Sequence, residues 1–256
     1  MEAELRAGGA NVRVVNAGVP AWSSYESLID YLLRIQDLSP DVVVIGQNFG
    51  DLAARLVWPP SAYKGDNSGY FAQQFAVRDP PLWESSALLR ILLVSSGRAL
   101  PASAFGKSVY DPAPTAYFFE FARQRWSMTF PAGIFREVTV AEMLRANPPV
   151  YFRRNTETLV AAVRARGQAP VLLTFPYCEE ITGYFGVEGF REAVDEQNAI
   201  LHDIARTRDV PLLDLAAVFP KDKRYRAFDG IHMSEEGAAL EGKLVAAFLR
   251  ERGLVR

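Results

Sequence analysis

The sequence predicts an α/β fold, a parallel sheet with helices on both faces, and three observations carry that prediction. "NVRVVNAG" at 11–18 is a β-rich run ended by glycine, and "DVVVIG" at 41–46 is a continuous apolar run of strand length. A helical pattern lies between them, so the first 46 residues contain a β-α-β unit. The alternation returns after residue 150 as helix, strand, helix, strand and helix. Strands that alternate with helices imply a parallel sheet buried on both sides.

Each element has its own signals. "MEAELRAGG" reads as the last turns of a helix that stops at Gly8-Gly9. Ser23 and Glu26 predict a capping box, and Tyr25, Leu28, Ile29, Leu32 and Ile35 follow it at helical spacing. In the second half the pattern predicts a helix from about 150 to 166 with Gly167 as its stop, then a strand at "PVLLTF" (170–175). A helix from about 188 to 208, a strand at "PLLDL" (211–215) and a helix over 234–252 complete the chain.

Residues 49–149 interrupt this rhythm with many prolines and a dense aromatic set: Trp58, Tyr63, Tyr70, Phe71, Trp83, Tyr117, Phe118, Phe119, Phe121, Trp126 and Phe130. We read the segment as a large insertion in a single domain spanning 1–256. Its aromatics suit the lining of an acyl or sugar pocket, but packing of the insertion's own small core is the favoured use.

Composition narrows the function. A formal charge of −2, with Lys and Arg scattered, leaves no basic face for a phosphate backbone, so nucleic acid is not an expected partner. The single Cys178 forms no internal disulfide and has no second Cys or close His to make a metal site, and it is expected to be a partly buried thiol. No metal and no cofactor are expected. No apolar run reaches the roughly 20 residues a membrane span needs, since Arg90 interrupts "ALLRILLV". The first residues also lack the apolar core of a signal peptide.

The residues with chemical potential gather where strands end, which is where open parallel sheets bind ligands. Gly18 follows the first run and Asn48 the second, while Asp229 and His232 lie in the loop before the final helix, in "AFDGIHMSEEG". A glycine there lets its backbone N–H approach a ligand, and an asparagine amide can donate to a developing oxyanion. A histidine with a nearby carboxylate can act as an oriented general base. Singly, each has a plainer use as a turn, a loop cap or a local hydrogen bond near a helix start. Their joint order, each at a strand end, is the stronger signal.

In that order the sequence resembles the SGNH (GDSL-type) hydrolases. "VVNAGVPAWSS" is similar to the family's glycine block, "VIGQNFGD" to its asparagine block and "DGIHMSEEG" to its last block. "YFRRNTETLVAAVRARG" and "REAVDEQNAILHDIARTRDVPLLDL" also read like this family. The resemblance implies a three-layer, flavodoxin-like sheet and attack of a serine on an ester, followed by hydrolysis of the acyl-enzyme. It implies Gly18 as backbone oxyanion donor, Asn48 as side-chain donor, His232 as general base and Asp229 as the group orienting it.

The family nucleophile lies in a Gly-Asp-Ser motif at the end of a strand preceding the glycine block, and these residues contain no such motif there. "GDNS" at 65–68 comes after the asparagine block without an apolar strand before it and reads as a turn. Ser23 reads as a helix cap, and no strand-to-helix elbow precedes Ser24. His202, inside "AILHDIA", is expected to be a surface or packing residue. The expectation is therefore a truncated reading frame whose upstream part holds the serine strand and any signal or anchor segment, leaving localisation unassigned. The expected substrate is a small-molecule or carbohydrate ester. The alternatives are an O-acyltransferase acting on a carbohydrate, or a non-catalytic ligand-binding protein.

Overall fold

The computed structural model describes residues 1–20, 22–57, 60–66, 86–96, 98, 129–131, 137–178, 180–181, 186–227 and 230–255. It divides into two compact units, one of Met1–Leu52 with Pro149–Arg256 and the other of Ala53–Pro148. The described strands are β1 (Val42–Ile45), β2 (Thr129–Pro131), β3 (Glu137–Thr139), β4 (Ala169–Leu173) and β5 (Leu212–Leu213). In the first unit β1, β4 and β5 form a parallel sheet in that order, with Val42 opposite Ala169 and Leu173 opposite Leu213.

Alternation along β4 assigns the layers. Val171 and Leu173 join a core with Leu5, Val245, Phe248 and Leu249, from the helices Glu2–Ala7 and Glu235–Glu251. Leu172 joins an opposite core with Tyr31, Phe152, Leu159, Val163, Leu201 and Ile204. Those side chains belong to β4's other neighbours, the helices Ser24–Leu33, Val150–Ala165 and Phe190–Arg208. Both faces of the sheet are covered, as the apolar strand runs require. The fold is a three-layer α/β sandwich.

The predicted helix signals act as expected. Ser23 accepts from the Tyr25 amide at 3.2 Å while Glu26 accepts from the Ser23 amide at 2.8 Å, completing the capping box. Gly167 takes the left-handed φ of 73° that ends the helix Val150–Ala165, with Gln168 N donating to Val163 O at 3.2 Å.

Two strand expectations differ from the structure. Residues 11–18 carry no β-ladder. Val12 and Val14 still pack against the core shared with Val42 and Val44, whereas Arg13 and Val15 face solvent. The two-residue period is kept, but the backbone is answered by side chains of the first helix: Glu2 accepts from Val14 N at 2.7 Å and Arg6 donates to Val12 O at 2.9 Å. A strand is defined by its partner, and among the described residues β1 pairs on one edge only, with β4. The last predicted strand shrinks to Leu212–Leu213, because Asp214 caps a short helix Leu215–Val218 by accepting from Ala217 N at 3.2 Å.

In the second unit β2 and β3 pair antiparallel and lead into the helix Val140–Ala146, started by a Thr139–Glu142 capping box. The buried Arg55 donates to the carbonyls of Asn147 and Leu144 at 2.7 and 2.8 Å, and Asn147 Nδ2 donates back to those of Arg55 and Val57 at 2.7 and 2.8 Å. These bonds tie the two ends of the segment together. Of the aromatic set expected to build its core, all but Tyr63 and Phe130 lie outside the described residues. Cys178, expected to be partly buried, is fully buried, and its thiol donates to Lys221 O at 3.1 Å.

Candidate active site

Asn48 follows β1 at its carboxyl end and starts the helix Phe49–Arg55, its carbonyl accepting from Asp51 N and Leu52 N at 3.1 and 3.2 Å. Its side chain is buried, at 3% exposure. Nδ2 donates to Asn198 Oδ1 at 3.3 Å, whereas Oδ1 has no hydrogen-bond partner among the described residues. Gly18 is exposed, and its N–H donates to Asn16 Oδ1 at 3.0 Å. It lies in the stretch that leads from the unpaired 11–15 segment to the Ser23 cap.

That cap is bound directly to the helix that Asn48 begins. Ser24 donates its backbone N–H to Asp51 Oδ2 at 2.9 Å and its hydroxyl to Asp51 Oδ1 at 2.5 Å, and Asn155 Nδ2 donates to Ser24 Oγ at 3.1 Å. Gly50 lets the two backbones touch, since a Cβ there would lie 1.9 Å from Trp22 O. Ser23 and Ser24 are both fully buried, with their hydroxyls engaged in these bonds.

Burial pushes the Asp51 carboxyl up to about 7, with the Glu26 carboxylate adding to the rise and the two Ser24 hydrogen bonds opposing it. The folded state then keeps a proton that the unfolded chain releases near pH 4, so this group's contribution to stability falls as pH rises from about 4 to about 7. The fall amounts to about 4 kcal/mol for a shift of this size. Asp51→Asn should flatten that slope in thermal melts recorded from pH 4.5 to 8. An unchanged slope would place the titration elsewhere.

The loop before the final helix is built from its base upward. Arg226 and Met233 form a β-bridge, Ala227 N donates to His232 O at 2.8 Å, and Gly230 turns the chain with φ of 78°. Arg226 is buried beneath the loop, its guanidinium 4.9 Å from the Phe219 ring centroid and Nη1 donating to Ile231 O at 3.4 Å. Its Nε and Nη2 have no hydrogen-bond partner among the described residues. Burial lowers the Arg226 pKa, while the Glu241 carboxylate and Cys178 raise it. Burial raises the Glu241 pKa, and Arg226 lowers it. At the far end Ser234 caps the helix Glu235–Glu251 by accepting from Gly237 N at 3.1 Å.

His232 is exposed at the base of this loop, next to the Arg226–Met233 bridge. Asp229, expected to orient it, lies outside the described residues. Gly237 is a further brace, since a Cβ there would sit 2.0 Å from Tyr225 O, the same carbonyl that accepts from Ser234 N. Gly237→Ala should destabilise the fold by about 1–3 kcal/mol through overpacking, read as a lower urea midpoint. A midpoint equal to that of the wild type would show that the loop base yields freely.

Sequence reasoning passed over several of these groups. Asn198, Asp51, Asn155 and Arg226 are all buried polar residues. Asn155 stands among Phe152, Leu159 and Val163, and Asn198 among Val194, Leu201 and Ile204. A polar residue on an apolar helical stripe was the available signal. His202, expected to lack chemistry, is half-exposed and pairs with Asp214, Nε2 to Oδ2 at 3.1 Å, while Thr174 donates to Asp214 Oδ1 at 2.8 Å. Among the described residues no group of three or more His, Cys, Asp or Glu is placed to hold a metal, and no helix is long and apolar enough to cross a membrane.

Residues 135–240, which include the His232 loop and Asn198, match the model of the GDSL-like lipase/acylhydrolase family. No curated protein sequence matches the chain. Among solved structures, the fold is similar to that of a lipase/acylhydrolase from Enterococcus faecalis, at 17% identity and a TM-score of 0.53, over 99% of this chain and 83% of that one. It is also similar to a GDSL-like lipase from Bacteroides thetaiotaomicron, at 13% identity and 0.51, over 98% and 78%. A putative acylhydrolase from Bacteroides fragilis gives 14% and 0.52, over 98% and 79%.

Proposed function

We propose that this chain, whose residues 135–240 match the GDSL-like lipase/acylhydrolase family model, cleaves esters through a Ser-His-Asp triad to which it contributes His232 and Asp229. The observation that carries the reading is the buried amide of Asn48 at the carboxyl end of a parallel strand, in a chain whose family match runs through the exposed His232. Asn48 Nδ2 and Gly18 N–H are the oxyanion donors. Gly18 becomes available when its short local bond to Asn16 gives way to substrate.

The serine belongs, in this proposal, to a strand that pairs with β1 on the edge left unpaired among the described residues. Val12 and Val14, which keep strand periodicity on the same core as Val42 and Val44 without a ladder, support a partner on that side. Serine Oγ attacks the ester carbonyl as His232 takes its proton, and the carbonyl oxygen gains its charge against Asn48 and Gly18. The alkoxide leaves with the proton from His232, and water resolves the acyl-enzyme by the reverse sequence. Small-molecule and carbohydrate esters are the proposed substrates.

A fluorophosphonate tests this without a guess at the natural ester, because labelling requires an activated hydroxyl. The native protein from its own cells should be labelled, and peptide mapping should place the adduct in a Gly-Asp-Ser sequence. His232→Ala should abolish the adduct. A folded native protein that takes no label would sink the hydrolase reading and favour a ligand-binding protein.

A further inference from the structure

We propose that Asn198 is a positioning residue that fixes which end of the Asn48 amide faces a developing oxyanion; the proposal rests on the ester-hydrolase reading of that site. The argument is one of donors and acceptors. Phe175, just beyond β4, offers one backbone N–H and one carbonyl to the Asn198 side chain. The N–H donates to Asn198 Oδ1 at 2.8 Å, and Asn198 Nδ2 donates to the carbonyl at 3.0 Å. Since a backbone N–H only donates and a carbonyl only accepts, this two-point contact leaves the Asn198 amide a single orientation.

Asn198 Oδ1 is therefore the atom turned toward Asn48, and only an N–H can answer it. Asn48 must present Nδ2, as it does at 3.3 Å. An amide nitrogen carries two hydrogens, so one bond to Asn198 fixes the plane of the group and leaves the second hydrogen for the substrate oxyanion. Among the described residues nothing else sets that choice, because Asn48 Oδ1 has no hydrogen-bond partner there and the terminal torsion of asparagine is broad and roughly two-fold. Without Asn198 the carbonyl end could turn toward the substrate, where it would repel negative charge. The helix Phe190–Arg208 and the end of β4 thus set the polarity of a donor carried by the loop after β1.

Side-chain nitrogen NMR on the ¹⁵N-labelled native protein tests this with no need for turnover. In the wild type, one Asn48 Nδ2 hydrogen should show a cross-peak to the Phe175 amide hydrogen, since both point at one oxygen. It should also exchange with water at least about ten-fold more slowly than its geminal partner. Asn198→Leu should remove both the cross-peak and the asymmetry. An assigned wild-type Asn48 amide with neither feature overturns the proposal, and so does a folded Asn198→Leu chain in which both persist. This first reading needs only the wild type, so it survives a variant that fails to fold.

Kinetics on the native serine-bearing enzyme form the second arm. Asn198→Leu should lower kcat for a short-chain aryl ester by about ten-fold or more with KM unchanged, because the donor acts mainly on charge that develops in the transition state. The double variant Asn48→Ala/Asn198→Leu should be no slower than Asn48→Ala alone. Additive losses would overturn the positioning role. Expected NMR results in a protein that hydrolyses no ester would leave the Asn198 contact standing and count against the proposed function alone.

Discussion

His232→Ala should reduce kcat/KM of the native enzyme toward short-chain aryl esters by about 10⁴-fold or more, since members of a nucleophile–base unit lose nearly all of their joint effect together. The substitution removes the only group proposed to take the serine proton and return it to the leaving alkoxide. The His232 side chain is exposed, so its truncation creates no cavity, and the melting temperature should stay near that of the wild type. A large loss of activity without loss of fold is the signature sought. Asp229→Asn should give a smaller loss, because it misorients the base without deleting it. Full activity in His232→Ala would remove this loop from the chemistry.

Asn48→Ala should lower kcat by about 10²–10³-fold with KM little changed, the effect of deleting one oxyanion donor. Serine labelling by fluorophosphonate should slow in parallel but still reach completion, because the nucleophile and base remain. Here some loss of stability is expected as well, since Asn48 is buried and bonded to Asn198. Comparing ester turnover with thermal melts separates the two effects. A KM increase with unchanged kcat would mean that Asn48 binds the ground state and not the developing charge.

The fold was legible wherever a local signal decided the outcome. Ser23 with Glu26 started a helix, Gly167 stopped one, and the apolar run before Gly46 became β1. Residues 11–18 show the limit of such reading. Their pattern has the period of a strand and buries the expected side chains, yet a ladder depends on a neighbour that no local pattern specifies.

The site divides in the same way. The places of Asn48, just after β1, and of His232, just before the last helix, could be read from the sequence pattern. The partners of Asn198 and Asp51 could not be read, because each lies far along the chain: Asn198 bonds Phe175 and Asn48, and Asp51 bonds Ser24. Buried hydrogen-bond partners become visible only after folding brings the segments together. That is also why the two-point contact with Phe175, which gives Asn198 its direction, had no counterpart in the sequence.

The most direct measurement of the central claim is a crystal structure of the native enzyme after fluorophosphonate labelling, where the phosphonyl oxygen stands in for the oxyanion of the acyl-transfer intermediate. The account predicts a labelled serine on a strand paired with β1, the phosphonyl oxygen about 3 Å from both Asn48 Nδ2 and Gly18 N, and His232 within hydrogen-bond reach of the serine oxygen. A labelled serine with Asn48 and His232 at opposite ends of the sheet would contradict it.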